Sequence, residues 1–325
     1  MTLNTNTLKI PAVVCLALLL LILSCHSDHK AKGRDDRPIE YPDSCVQFQF
    51  ELVNLPWDSL PYTDAGLNLL PDTAGPRDSS GILLFEWHDT LYYHPVMMCH
   101  RALAYIDLFH DHGDSAFLTT ARRYVDCLVT QGIHIDSALY FPYQFDYRVH
   151  GRDDALITKP FFSGMAQGQA LSALCRLYSL TSDERYRQLA DEVFQTMLRP
   201  RGEYTPWTVF YDTPGCFWIE EYVTEPIPSM TLNGFIFGIY GLYDYWQMTG
   251  NADADRLIQE AISTVRNYIP SYRRPGNPSF YGLTFHHYDA NYHKLHIRQL
   301  RQLTRFTGDP FFESWADTLE SDYRE

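Results

Sequence analysis

Positive charge is scarce in this 325-residue chain: 26 Lys and Arg stand against 40 Asp and Glu, a formal charge of −14. Neutralising a phosphate backbone takes a basic face, so nucleic acid is excluded as a partner. The same deficit argues against a densely sulfated ligand unless a local basic patch overrides the total. Cysteine is also sparse. Of 7 residues, Cys15 and Cys25 fall in an N-terminal leader, and the odd remainder shows no CxxC or Cys/His spacing for a metal. Cys99, Cys127 and Cys175 lie on apolar helical stripes and read as core filler, and any disulfide pairing stays open. There is no HExxH motif and no Gly-rich strand-to-helix turn, so neither a zinc protease site nor a dinucleotide cradle is indicated. His286-His287 lacks carboxylates at ligand spacing. No metal or other cofactor is called for.

What is present is an ordinary globular composition, 45% hydrophobic, with aromatics at 15% led by 23 Tyr. Such a surface suits stacking on sugar rings. Residues 10–23 form an uncharged run after Lys9, too short to span a bilayer but the right length for a signal sequence. It ends in Leu21-Ile22-Leu23-Ser24-Cys25, which resembles a bacterial lipoprotein lipobox, and a simple cleaved signal is the alternative. Either way the chain is expected to be exported, with the membrane touched only through a lipid on Cys25. The expected organisation is a leader over 1–25, a flexible tether over 26–43, a small β region over 44–92 and a helical domain over 93–325. A homodimer is compatible with this layout.

Four polar breaks punctuate the helical part: His112-Gly113-Asp114, Thr181-Ser182-Asp183, Thr249-Gly250-Asn251 and Thr307-Gly308-Asp309-Pro310. Each has the chemistry of one helix stopping in a left-handed residue while Asp or Asn caps the next. Before the first three breaks the segment is mainly apolar or small; residues 230–248 carry a single charge, Asp244. After it the segment is amphipathic, with Tyr186, Leu189, Val193 and Met197 spaced as one inward stripe in the second pair. Alternating buried and half-exposed helices predict a mainly α fold, an incomplete (α/α) toroid of four hairpins. Aromatic, β-prone arms over 139–149, 207–222 and 280–288 should cluster where the inner helices begin, and 46–53 and 82–93 read as strands of a small N-terminal sheet. The last inner helix, near 292–306, carries Lys294, His296, Arg298, Arg301 and Arg305. It is expected either to wall the cleft and attract an anion, or to be a solvated face of an unclosed ring.

Ser163-Gly164-Met165-Ala166-Gln167-Gly168-Gln169-Ala170 is similar to the SxMAQGQA signature of the glucuronyl C5-epimerase family. The likeness continues through Trp218-Ile219-Glu220-Glu221-Tyr222, Leu232-Asn233-Gly234-Phe235, Gly241-Leu242-Tyr243-Asp244 and Tyr292-His293-x-x-His296. It spans roughly residue 93 to the C-terminus. The resemblance implies inversion at C5 of glucuronate residues in a heparosan-type glycan, with catalytic roles for Glu221, Tyr222 and Tyr292. It implies substrate contacts at Gly164, Met165, Ala166, Gln167, Asn233, Tyr281, Asn291 and His293; Tyr93 and the cationic Arg298 are further candidate contacts. Three departures stand out. The family's Tyr-x-x-Arg is here Tyr281-Gly282-Leu283-Thr284, one extra residue separates Tyr222 from Asn233, and little of the animal members' N-terminal β-domain has a counterpart.

The chemistry is consistent with these residue types. Epimerisation removes a proton α to a carboxylate and returns one to the opposite face, so acid and base must flank the ring while donors hold the enediolate. A uronate polysaccharide lyase shares the first step, and a non-catalytic glycan-binding lipoprotein would share the aromatic arms. A two-carboxylate glycosidase fits less well, because Asp153-Asp154 and Glu220-Glu221 are adjacent pairs without a cross-site partner.

Overall fold

A computed structural model describes residues 32–63 and 75–324. The leader over 1–25 and the start of the tether lie outside the described residues. Eight helices, found among the described residues, form four antiparallel hairpins: α1 (Pro95–His112) with α2 (Ser115–Gln131), α3 (Gly164–Thr181) with α4 (Glu184–Phe194), α5 (Leu232–Thr249) with α6 (Ala252–Tyr272), and α7 (Ala290–Thr307) with α8 (Pro310–Asp322). The expected incomplete toroid is what forms. The four breaks behave as their chemistry dictates: Gly113, Ser182, Gly250 and Gly308 take φ between 55 and 67°, and Asp114, Asp183, Asn251 and Asp309 cap the following helices.

The inner helices bury differently from the outer ones. Residues 164–177 of α3 and 232–245 of α5 are buried without interruption, whereas α4 buries a stripe of Tyr186, Ala190, Val193 and Phe194. Leu189 is only partly buried, and Met197 is buried in the 3-10 turn that follows from Gln195. Where α3 crosses α5 the backbones touch. A Cβ on Gly168 would stand 2.5 Å from the Gly238 Cα, closer than any real side chain is found.

Short hairpins ride on the ends of the inner helices: β4 (Ile133–Ile135) with β5 (Ala138–Tyr140), β6 (Tyr147–Arg148) with β7 (Leu156–Ile157), and β8 (Val209–Tyr211) with β9 (Phe217–Ile219). Before the helices, β2 (Phe85–Trp87) pairs with β3 (Thr90–Tyr92).

The segment 46–53 is extended as expected, but it joins no sheet. It runs antiparallel along α6, whose side chains do what a neighbouring strand would. Gln259 bonds the N–H and C=O of Phe50, Ser263 those of Phe48, and Asn267 those of Val46, at 2.8–3.3 Å. Four helical residues rise about 6 Å and two extended residues about 6.6 Å, so the two periods stay in step. A disulfide joins Cys45 to Cys216 in the β8–β9 turn, leaving Cys99, Cys127 and Cys175 free.

The tether expected over 26–43 is, from residue 32, docked rather than loose. β1 (Lys32–Arg34) pairs with β10 (His287–Asp289), and Asp35 bonds the buried Arg274 guanidinium at 2.8 and 3.0 Å. That pairing provides for the edge of β10 and for a cation that would otherwise be buried alone. None of the described helices is long and apolar enough to cross a membrane.

Candidate active site

Strand β9 leads into Glu220-Glu221-Tyr222, against the first turns of α3 and α5. Backbone bonds fix the junction: the Gly164 N–H donates to Glu220 O at 2.7 Å, and the Glu220 N–H to Thr208 O at 2.8 Å. The two glutamates then part. Glu220 accepts from the Ser229 hydroxyl (2.8 Å), the Met230 N–H (3.0 Å) and the Tyr222 N–H (3.3 Å), and so fastens the loop leading to α5. Glu221 accepts from the Tyr281 hydroxyl at 3.1 Å, and its other oxygen, Oε2, is buried with no hydrogen-bond partner. Gly234 makes room for it; a Cβ there would lie 2.5 Å from the Glu221 Cβ. Burial pushes both carboxyls up to about 7.

Three phenols gather on Glu221. The Tyr281 and Tyr222 hydroxyls lie 3.4 Å apart, and Tyr292, in the first turn of α7, meets the Tyr281 ring edge-on at 4.4 Å between centroids. Tyr281 has one proton. With it directed to Glu221, Tyr222 must be the donor of the second bond, which makes a relay Tyr222–Tyr281–Glu221. Tyr222 and Tyr292 keep part of their surface exposed, whereas Tyr281 and Glu221 are buried behind them. Burial first, then the Glu221 charge, holds all three phenols well above their ordinary value.

The first arm contributes two groups that sequence reasoning did not single out. Tyr147 of β6 stacks on Tyr222 at 5.3 Å, and His150 meets the Tyr281 ring edge-on at 5.2 Å while stacking on His287 at 4.1 Å. Tyr147 lay within the aromatic arm marked in the sequence; no local signal distinguished His150.

Other expected contacts have different work. Gly164, Met165, Ala166 and Gln167 are buried. Gly164 faces the β9 end, where a Cβ would sit 2.9 Å from Glu220 O, and the Gln167 amide bonds Phe141 N (3.0 Å) and Leu139 O (2.8 Å). The signature is thus a packing device that docks two arms on α3. The Tyr93 hydroxyl donates to Asp78 at 2.8 Å, beside Cys127 rather than Glu221. His293 is buried, accepting from the Ser279 N–H at 2.9 Å and bonding Leu319 O at 3.0 Å. Asn233 is buried next to Gly234, with its Oδ1 unpartnered, and Asn291 sits half-buried beside Tyr292.

The basic helix does not wall the cleft as an anion-binding surface. Arg301 pairs with Glu313, Asp317 and Glu320 of α8, His296 is sealed against Ser279, and Lys294 and Arg298 are exposed. Arg298 lies about 9 Å along α7 from Tyr292, where its charge reaches Tyr240. An unclosed ring leaves this helix one wet side, and the charges occupy it. Among the described residues no three His, Cys, Asp or Glu side chains gather as a metal site.

Comparison with known proteins agrees with this geometry. The profile of the family described as D-glucuronyl C5-epimerase C-terminus matches residues 135–321, a span holding the whole cluster. An uncharacterised protein of Methanocaldococcus jannaschii is 28% identical over 54% of this chain and 56% of its own, and the D-glucuronyl C5-epimerase of Caenorhabditis elegans is 26% identical over 48% of this chain and 27% of its own. The chain therefore spans little more than half of the first of these relatives and about a quarter of the second. Among solved structures, cellobiose 2-epimerase from Spirochaeta thermophila superposes with a TM-score of 0.54 at 12% identity, over 85% of this chain and 77% of that one. The enzyme of the same name from Bacillus thermoamylovorans gives 0.51 at 11%, over 75% and 66%. Those two show a shared toroid fold. Matched over more than half its length, the chain belongs to the D-glucuronyl C5-epimerase C-terminal family.

Proposed function

We propose that the protein is a carbohydrate epimerase that inverts C5 of hexuronate residues, glucuronate to iduronate, in a heparosan-type glycan. One observation carries the reading: a buried glutamate, pushed up to about 7, joined to a phenol that is itself 3.4 Å from a second phenol. Phenols held this far above their ordinary value keep their protons near neutrality, so they stand as hydrogen-bond and proton donors and not as bases. Glu221 is the group whose charge is available near neutrality, so it takes the C5 proton. Tyr222 and Tyr292 flank Tyr281 and supply the hydroxyl that returns a proton to the other face. The relay then resets the site: the Glu221 proton passes to Tyr281 as Tyr281 gives its own to the phenol that donated, either Tyr222 or Tyr292, both of which lie against it.

Incubation with heparosan-type oligosaccharides in D₂O is expected to place deuterium at C5, and Tyr292→Phe to stop it. Unlabelled products across a panel of uronate glycans would leave a binding protein. Products absorbing near the ultraviolet edge would mean that the carbanion expels its C4 substituent and the enzyme is a lyase. We further propose that the chain is exported and held by a lipid on Cys25; the Cys45–Cys216 bond supports an oxidising compartment. Labelling of expressed protein with a fatty-acid analogue, lost in Cys25→Ala, tests this.

A further inference from the structure

An enediolate forming inside this cluster needs a cation or strong donors on its carboxylate. The helix expected to supply them does not, and Thr284 donates its hydroxyl to Pro228 O. We propose that His150 and His287 form the carboxylate-binding subsite, with Arg152 behind them. This deepens the hexuronate reading and rests on it.

Two imidazoles stack at 4.1 Å, tilted by 22°, at the edge of the phenol cluster. The His150 ring centroid is 5.2 Å from that of Tyr281 and 6.4 Å from that of Tyr222, and the His287 ring is 6.0 Å from Tyr281. In this proposal the C6 group of a sugar bound at the phenol cluster lies against both imidazoles. His150 is carried there at some cost: it has φ of 53° inside a tight turn, a backbone that non-glycine residues rarely adopt. Such a conformation persists where the surroundings impose it, and here it sets the ring against the phenols.

The electrostatics suit a site awaiting an anion. Burial, the neighbouring His287 and Arg152 hold His150 well below its ordinary value, so it stands neutral while the cleft is empty. A carboxylate against the pair opposes that shift and favours the protonated, doubly donating form. Arg152, bonded to Asp154 at 2.8 Å and lying 5.4 Å above the Phe285 ring, adds positive potential on the same side. Two facing histidines thus replace the family's arginine by different chemistry, on two different arms.

The test uses the full chain and two probes, a heparosan tetrasaccharide and its carboxyl-reduced counterpart, with binding measured by calorimetry. His150→Asn keeps a residue that tolerates the left-handed backbone, and His287→Gln alters the partner; thermal melting checks that each folds. Loss of a charged hydrogen bond predicts that each variant binds the uronate probe about tenfold or more weakly and the reduced probe unchanged. Equal weakening for both probes, or none for either, overturns the inference. If His150→Asn does not fold, His287→Gln alone decides. A wild-type protein that binds no uronate glycan refutes the hexuronate reading itself, and that arm separates the two failures.

Discussion

At the residue scale, the site turns on how differently two adjacent carboxyls are solvated. Glu220 and Glu221 are both deeply buried and both pushed up to about 7. The first is surrounded by three donors, and the second keeps one oxygen unpartnered. Of about four acceptor sites on a carboxylate, Glu220 fills three and Glu221 one, so Glu221 keeps more capacity to receive a proton. Glu221 has a raised value, so its charge is absent at low pH and appears as pH climbs through about 7. The rate of C5 deuterium exchange is therefore expected to rise with pH through that value and then level off. Glu221→Gln is expected to lower the rate by about 10²-fold or more at every pH and to abolish the step near 7. A stepped profile surviving in the variant would assign the base elsewhere. Most of this cluster was readable in the sequence through Glu221, Tyr222, Tyr281 and Tyr292, since motif residues converge wherever the fold places them. His150 was not, because its role depends on a turn conformation and on a partner, His287, more than 130 residues away.

At the scale of elements, the toroid is written plainly in the chain. Helix stops, caps and the contrast between all-apolar and striped segments are local features, and local features survive folding. What the sequence could not supply was the partner of each surface. The strap over 46–53 has the period of a strand, and its backbone is satisfied as a strand's is, yet its partner is the Gln259–Ser263–Asn267 face of a helix. The basic residues of α7 were likewise visible without the acids of α8 that neutralise Arg301. The small residues of SxMAQGQA were marked for ligand contact, but their service is to the helix crossing. Gly168→Ala is accordingly expected to lower stability by about 2 kcal/mol through overpacking against α5, and C5 exchange should fall only in proportion to the folded fraction. Denaturant unfolding beside the exchange assay checks this; an unchanged midpoint would show that the crossing can give way.

At the scale of the whole molecule, one covalent link joins the N-terminal segment to the site-bearing arms. Cys45 and Cys216 are 171 residues apart in sequence, and the latter sits in the turn just before Trp218-Ile219-Glu220. Opening so long a loop is expected to cost about 2–5 kcal/mol, so Cys45→Ser should melt well below the parent, and the parent in reductant should match it. Equal melting temperatures for oxidised and reduced parent would mean that the side-chain ladder on α6 holds the strap unaided.

The order of attachments along that N-terminal segment decides how it answers to mechanical load. A pull applied ahead of residue 32 meets the three β1–β10 pairs first, then the Asp35–Arg274 bond, and only afterwards the sulfur bridge at Cys45. The early fastenings can peel, and the last cannot without bond cleavage. Tugging would thus loosen the strand that carries His287 while the toroid itself stays shut.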